Sequence, residues 1–268
     1  DFDLILASKE FKKYILDKVK TAKNIGLVVE SNTKNTFYLD HLFSLKKCLE
    51  IAEFNVTFIS FDPELFINDP ILKLTSFSQH EIIIEKASES NTNQKFDFVV
   101  MNHDQSIALK VDWKQIKVPI HPSPFIGWFN RSKTKHFIQY EKVINKFCKE
   151  FKINPILLMA KFHSVENLDF LEKLNLETLA NETDKFIEKL EPNQKVFIKG
   201  AQGTYGMGIM VVPSGKEITE MNRKARNKMN AGKNNIVFTS VLLQESVDTI
   251  LKYQDNPAEI TVYLVGGK

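Results

Sequence analysis

The sequence predicts an α/β protein in two parts: a small parallel-sheet domain over residues 1–122 and an α+β unit over residues 123–268. Three observations carry this expectation. Short apolar runs alternate with helical spacing through the first hundred residues. Three prolines then crowd positions 119–124. Beyond two further helices, the last third turns to strands around a glycine-rich turn. With 268 residues, 43% of them hydrophobic, the chain can build one large core or two smaller ones.

Phe11, Tyr14, Ile15 and Val19 recur at helical spacing over residues 11–19. Residues 25–30 (IGLVVE) form a compact apolar strand. Tyr38, Leu42, Leu45, Leu49 and Ala52 step by four and three, the spacing of an amphipathic helix, and residues 55–60 (NVTFIS) are a second strand. Strand, helix and strand in close succession make a βαβ unit with parallel strands and a right-handed crossover. Residues 96–102 (FDFVVMN) are a third strand of the same sheet, and the polar stretch 85–95 before them reads as a surface loop. Proline continues neither a ladder nor a helix, so the domain junction belongs in the segment 118–125, VPIHPSPF. Phe137, Tyr140, Ile144, Phe147 and Phe151 mark a helix, and residues 168–190 a second one. Residues 195–199, 208–212, 236–247 and 260–265 are expected strands, with one basic helix among them.

Composition excludes several classes. A formal charge of +3 is too mild to imply nucleic acid. Cys48 and Cys148 sit beside and within helical patterns, which favours reduced, partly buried thiols and a reducing compartment, the cytoplasm. The six histidines form no H-x-H or H-x-x-x-H pair, so no zinc site of standard spacing is expected. No run of 18 apolar residues offers a membrane span, and no signal-peptide pattern is visible. The chain begins without methionine and ends in YLVGGK, a strand running into a turn, which reads as a fragment at both ends.

Residues 199–209 read KGAQGTYGMGI and hold four of the ten glycines, between two apolar runs. Glycine permits positive φ and a close approach to backbone N–H groups. Such N–H groups in a turn make a concave anion site suited to phosphate, and Lys199 ends the strand just before it. The spacing is neither that of a P-loop nor that of a dinucleotide fingerprint opening a helix. A hairpin that only turns the chain stays open as the plain alternative. The strand VLLQESV at 241–247 carries Gln244 and Glu245 near its end. A polar pair there reads an adenine edge and a ribose hydroxyl, or simply closes a strand. A lysine-ended strand, a glycine flap and a strand ending in Gln-Glu follow the order of the ATP-grasp fold.

The strings FIKGAQGTYGMGIM at 197–210 and NRKARNKM at 222–229 resemble those of the bacterial glutamate–cysteine ligases of the ATP-grasp-like kind. NTFYLDH at 35–41, MNHDQS at 101–106 and GWFNRSKTKHF at 127–137 resemble further segments of the same family. The resemblance spans about residues 24–268. It implies a pre-ATP-grasp, Rossmann-like parallel domain followed by a partial ATP-grasp unit. Gln202 stands where the family commonly has an acidic residue. The metal-binding residues of the family lie past the last residue of this chain, so the resemblance names no metal ligand.

The reaction so implied uses ATP and Mg²⁺: the γ-carboxylate of L-glutamate is phosphorylated, the amine of L-cysteine attacks the acyl phosphate, and phosphate leaves. It needs positioning and charge neutralisation more than a protein nucleophile. Lys199 would hold the α/β-phosphates under a flap of Gly203, Thr204, Tyr205, Gly206, Met207 and Gly208, and Gln244 and Glu245 would hold adenine and ribose. Arg223, from the basic helix, would join Lys199 in catalysis. Lys133 and Arg131 open a helix whose N-terminus suits a phosphate or carboxylate, or are a solvated charge pair. Asn102 and Asp104 follow one strand of the first sheet, Asn35 and Tyr38 another. Ligands bind at the carboxyl ends of strands in open α/β sheets, so these four are the amino-acid-substrate candidates, against simple turn and cap roles. His136 reads as packing or capping.

Rival functions stay open. The basic stretch 222–233 could track a nucleic-acid backbone, but no aromatic residue interleaves it as a stacking platform. Another ATP-grasp carboxylate–amine ligase, or a non-catalytic nucleotide-binding remnant, fits the same strings.

Overall fold

A computed structural model describes residues 2–30, 35–67, 69–203, 206–230, 232, 237–262 and 264–267. The chain separates into two compact units, residues 1–129 with 261–268, and residues 130–260. The break falls just past the proline segment at 122 where the junction was expected.

Unit 1 is built on six strands: β1 (Asn24–Val28), β2 (Asn55–Ser60), β3 (Ile71–Thr75), β4 (Glu81–Lys86), β5 (Phe98–Met101) and β6 (Ile120–His121). Their order is β3-β4-β2-β1-β5-β6, parallel throughout except for β3 against β4. Alternation along each strand feeds two cores. Ile25, Leu27 and Val29, with Phe98 and Val100, face the helices α1 (Phe2–Lys18) and α2 (Thr36–Ile51). Val28, Ile59, Val99 and Met101 face the other way, against Phe96, Ile116 and the Trp113 region. Burial on both faces is why these strands read as unbroken apolar runs.

One expectation fails here. Residues 85–95 are not a loop: Glu85 and Lys86 end β4, and α3 (Glu89–Lys95) follows. A capping box starts that helix, with Ser88 Oγ accepting from Asn91 N and Asn91 Oδ1 accepting from Ser88 N. Local capping thus overrides a polar composition.

Unit 2 holds α4 (Lys133–Phe151), β7 (Phe162–Glu166), α5 (Lys173–Ile187), β8 (Val196–Gly200), β9 (Ile209–Val212), α6 (Lys216–Thr219), α7 (Arg223–Asn230) and β10 (Ser240–Glu245). The sheet is antiparallel in the order β7-β10-β8-β9. Val165, Val196, Ile198, Val241 and Leu243 point into one core with Leu176 and Leu179 of α5, Ile218 of α6 and Met229 of α7. The opposite face carries Phe162, Phe197, Lys199 and Gln244, and Phe137 of α4 packs 5.3 Å from Phe162, ring to ring. The expected strand at 260–265 is absent among its described residues. A short hairpin, β11 (Lys252–Tyr253) against β12 (Asn256–Pro257), precedes it. An apolar run becomes a strand only where it finds a ladder partner, and Ile260, Val262 and Leu264 remain exposed. Cys48 and Cys148 are buried free thiols, and burial raises the Cys48 pKa. No helix among the described residues is long and apolar enough to cross a membrane.

The glycine turn between β8 and β9 is shaped by a ring. Phe238 is fully buried, and a Cβ placed on Gly200 or Gly208 would lie 2.6 or 2.2 Å from its atoms. Gly208 has φ +64°, Gly206 has φ +75° with open space around it. Gly208→Ala is therefore expected to cost about 1–3 kcal/mol from overpacking in addition to backbone strain, and Gly206→Ala only the strain, about 1 kcal/mol. Denaturant unfolding measures both. Equal losses would show that the Phe238 contact is not the constraint.

Candidate functional site

In unit 2 the site grows from the end of β8. Register pairs Lys199 with Leu242 and Phe197 with Gln244, which places Lys199 and Gln244 on one face. The Lys199 ammonium donates to Gln244 Oε1 at 2.6 Å and lies 5.4 Å from the centre of the Phe197 ring. A lysine can only donate, so the amide oxygen must turn to it and the Gln244 NH₂ group points elsewhere. Burial lowers the Lys199 pKa.

The turn itself is closed by Gly200 N to Gly208 O at 2.7 Å and Gly203 N to Gly200 O at 3.0 Å. The first turn of α4 docks on it: Lys133 N donates to Ala201 O at 2.8 Å. Lys133 Nζ donates to Gly200 O at 3.0 Å and, more closely, to Gly203 O. Burial, with repulsion from Arg131 and Lys199, lowers the Lys133 pKa to about 8. Among the described residues, neither Lys133 nor Lys199 has a carboxylate partner. Met207 is half-buried and its carbonyl backs onto Gly203. Thr204 and Tyr205 lie outside the described residues.

Two candidates stand apart from this cluster. Glu245 faces the core side of β10, is 7% exposed, and its carboxylate accepts from Lys161 N at 2.7 Å. Side chains alternate along a strand, so neighbours 244 and 245 cannot share a face. Arg223 is exposed at the start of α7. His136 stacks on Tyr140 within α4, a packing role. Phe238, which shapes the turn, was read only as part of the expected strand at 236–247, because nothing local says that its ring packs against Gly200 and Gly208.

In unit 1 the carboxyl ends of β1 and β5 lie side by side, where the chain order reverses across the sheet. Asn35 Oδ1 caps α2, accepting from Phe37 N and Tyr38 N. Tyr38 Oη accepts from Glu30 N at 2.9 Å and from Asn102 Nδ2 at 3.3 Å, and donates to Asn102 O. Burial pushes its pKa well above the usual phenol range. Asp104 N donates to Glu30 Oε1 at 2.6 Å, and Asp104 Oδ1 accepts from Ser106 N. Tyr38, Asn102 and Asp104 thus gather at one strand-end crevice. Asn35 supports it from the cap, and Arg131 belongs to unit 2.

Sequence reasoning missed Glu30 and His103. Ligand atoms of Glu30, His103 and Asp104 lie within 4.8 Å of one another, the one described grouping that could hold a metal. Its signal was Glu30 closing an apolar strand and His103 standing between two candidates. No such grouping surrounds Lys133 and Lys199 among the described residues, so the donors there suit phosphate and not Mg²⁺.

The described residues thus form a mixed α/β protein, with a largely parallel sheet in one unit and a glycine turn beside two lysines in the other. The chain belongs to the glutamate–cysteine ligase family, whose model (GshA, Glutamate-cysteine ligase) matches residues 2–268. It is similar to the solved structure of a candidate gamma-glutamylcysteine synthetase from Methylobacillus flagellatus KT, at 29% identity and TM-score 0.75, over 91% of this chain and 61% of that one. It also resembles D-alanyl-alanine synthetase A from Vibrio cholerae O1 biovar eltor, at 13% identity and TM-score 0.51, over 85% of this chain and 60% of that one, a likeness of fold alone. The chain therefore spans about three fifths of each of these proteins. No curated protein sequence matches it.

Tyr38 Oη accepts from Glu30 N and Asn102 Nδ2, both partly buried. Tyr38→Phe is expected to cost about 1 kcal/mol by removing these bonds. Thermal and denaturant unfolding of the two proteins will check this. An unchanged midpoint would mean that the hydroxyl is dispensable to the crevice.

Proposed function

We propose that this chain carries the nucleotide half and part of the amino-acid half of an ATP-dependent glutamate–cysteine ligase of the bacterial cytoplasm. The observation that supports this best is the pair of half-buried lysines at the foot of the glycine turn. Burying positive charge is costly unless an anion answers it. Here two ammonium groups converge with no carboxylate partner among the described residues, and a polyphosphate supplies the missing charge.

Each residue then has a task. Lys199 holds phosphate oxygens and turns the Gln244 amide so that its N–H groups meet an acceptor nitrogen of the base. Lys133 adds charge from the foot of α4, Arg131 extends the positive region, and Gly206 leaves the turn open to close approach. In unit 1, Asp104 and Glu30, steadied by Tyr38 and Asn102, suit the ammonium group of an amino acid. The terminal phosphoryl group of ATP passes to the glutamate γ-carboxylate, giving an acyl phosphate and releasing ADP. The cysteine amine then forms the amide, losing a proton as phosphate departs. Mg²⁺ accompanies such phosphoryl transfer, and no residue of this chain is assigned to it.

Calorimetry with Mg-ATP and Mg-ADP tests the core of this proposal. Wild type is expected to bind with micromolar affinity, and Lys199→Ala to lose tenfold or more, about 1.4 kcal/mol. Phosphate release that needs both glutamate and cysteine would then fix the acceptor. A folded wild type that binds neither nucleotide would sink the nucleotide assignment of this chain. Release with other amino-acid pairs would instead favour a sister ligase.

A further inference from the structure

Lys133 does more than contribute charge. Its ammonium has three N–H donors, and two of them are committed to the carbonyls of Gly200 and Gly203. Its backbone N–H takes the carbonyl of Ala201. Three carbonyls of the turn's first four residues thus converge on a single residue at the first position of α4, whose N-terminus is otherwise capped by Ser132. Gly203 has no room for a side chain there: a Cβ would lie 2.5 Å from Met207 O, 3.1 Å from Gly200 O and 3.4 Å from Lys133 Nζ. The turn and the lysine are fitted to each other.

We propose that Lys133 is the anchor of the glycine turn, a positioning residue that ties the foot of the flap to α4 by hydrogen bonds and keeps one donor for an anion. The anchoring half of this stands apart from the nucleotide assignment; only the third donor rests on it.

The two roles separate by protonation. The charged groups facing Lys133 are Arg131 ahead of α4 and Lys199 on β8, both positive, and with burial they hold its pKa near 8. Deprotonation leaves a neutral amine with two N–H donors, enough for both carbonyls. Anchoring therefore survives at high pH, and the attraction for phosphate does not. The sign follows: a bound anion raises the lysine pKa, so binding takes up a proton above pH 8 and weakens as pH rises.

Amide hydrogen exchange of the turn peptide in nucleotide-free protein reads the anchor directly. Lys133→Met is expected to speed exchange at Gly203 and at residues 206–208 at least tenfold, with the β10 core peptide unchanged. Lys199→Met, which removes a neighbouring charge and no carbonyl partner, is expected to change turn exchange less than twofold. Wild-type turn exchange in a folded Lys133→Met protein would overturn the proposal. Should that variant not fold, wild type itself decides. Between pH 7 and 9.5, turn protection normalised to intrinsic rates is expected to stay within threefold while the Mg-ATP Kd rises tenfold or more. Protection that collapses with the titration would show that charge alone holds the turn, and the anchor would be wrong. A protein that binds no ATP would remove the phosphate role and leave the exchange result standing.

Discussion

Two ammonium groups held half out of water, with no carboxylate partner among the described residues, set the terms for unit 2. Desolvation works against the charge of both, and at Lys133 repulsion from Arg131 and Lys199 adds to it, so both pKa values fall. A fold keeps such a pair only by giving each partial compensation. Lys199 finds the Gln244 amide and the face of Phe197; Lys133 finds two backbone carbonyls. Neither partner carries a full negative charge, so the compensation is incomplete. The glycine turn follows from this. Its carbonyls must bend inward to reach Lys133, and its backbone must clear the Phe238 ring. Gly200, Gly203 and Gly208 are the residues at which a side chain would obstruct one or the other.

Unit 1 obeys a different constraint. Its parallel strands bury both faces, so from Ile25 to the end of β1 and throughout β5 the side chains are apolar. Polar groups therefore accumulate past Val28 and Met101, and the parallel register brings those two ends together. Tyr38 bridges them, tied to Glu30 on one side and Asn102 on the other. The crevice results from where the sheet allows polarity and from where the chain order reverses, the position at which open α/β sheets take ligands.

This explains what the sequence could and could not disclose. β1, α2, β2 and β5 were legible because burial on both sheet faces, or on one helix face, writes an unmistakable period. Asn102 and Asp104 could be placed because they follow β5 directly, and Tyr38 because it opens the helix after β1. Glu30 follows β1 equally closely and was passed over as a strand terminus, since nothing local says that His103 and Asp104 lie opposite it. β7 was hidden because its alternating face is only partly buried. The α3 helix rests on a cap rather than on apolar spacing. Lys133 was legible as a cation at a helix start, but its carbonyl partners lie some 70 residues away in sequence, and no periodicity spans such a gap.

Glu245 shows where a pattern drawn from order alone needs correction by geometry. Consecutive residues on a strand point to opposite faces, so a Gln-Glu pair can offer a bound nucleotide only one side chain. Register selects Gln244, which shares a face with Lys199. The Glu245 carboxylate instead accepts from Lys161 N, and its own N–H donates to Lys161 O. These two bonds pin the end of β10 to the segment entering β7. A carboxylate accepts on two oxygens, so Oε1 keeps the Lys161 N–H while Oε2 retains its acceptor capacity. Glu245 thus holds in place the strand that carries Gln244 on its other face.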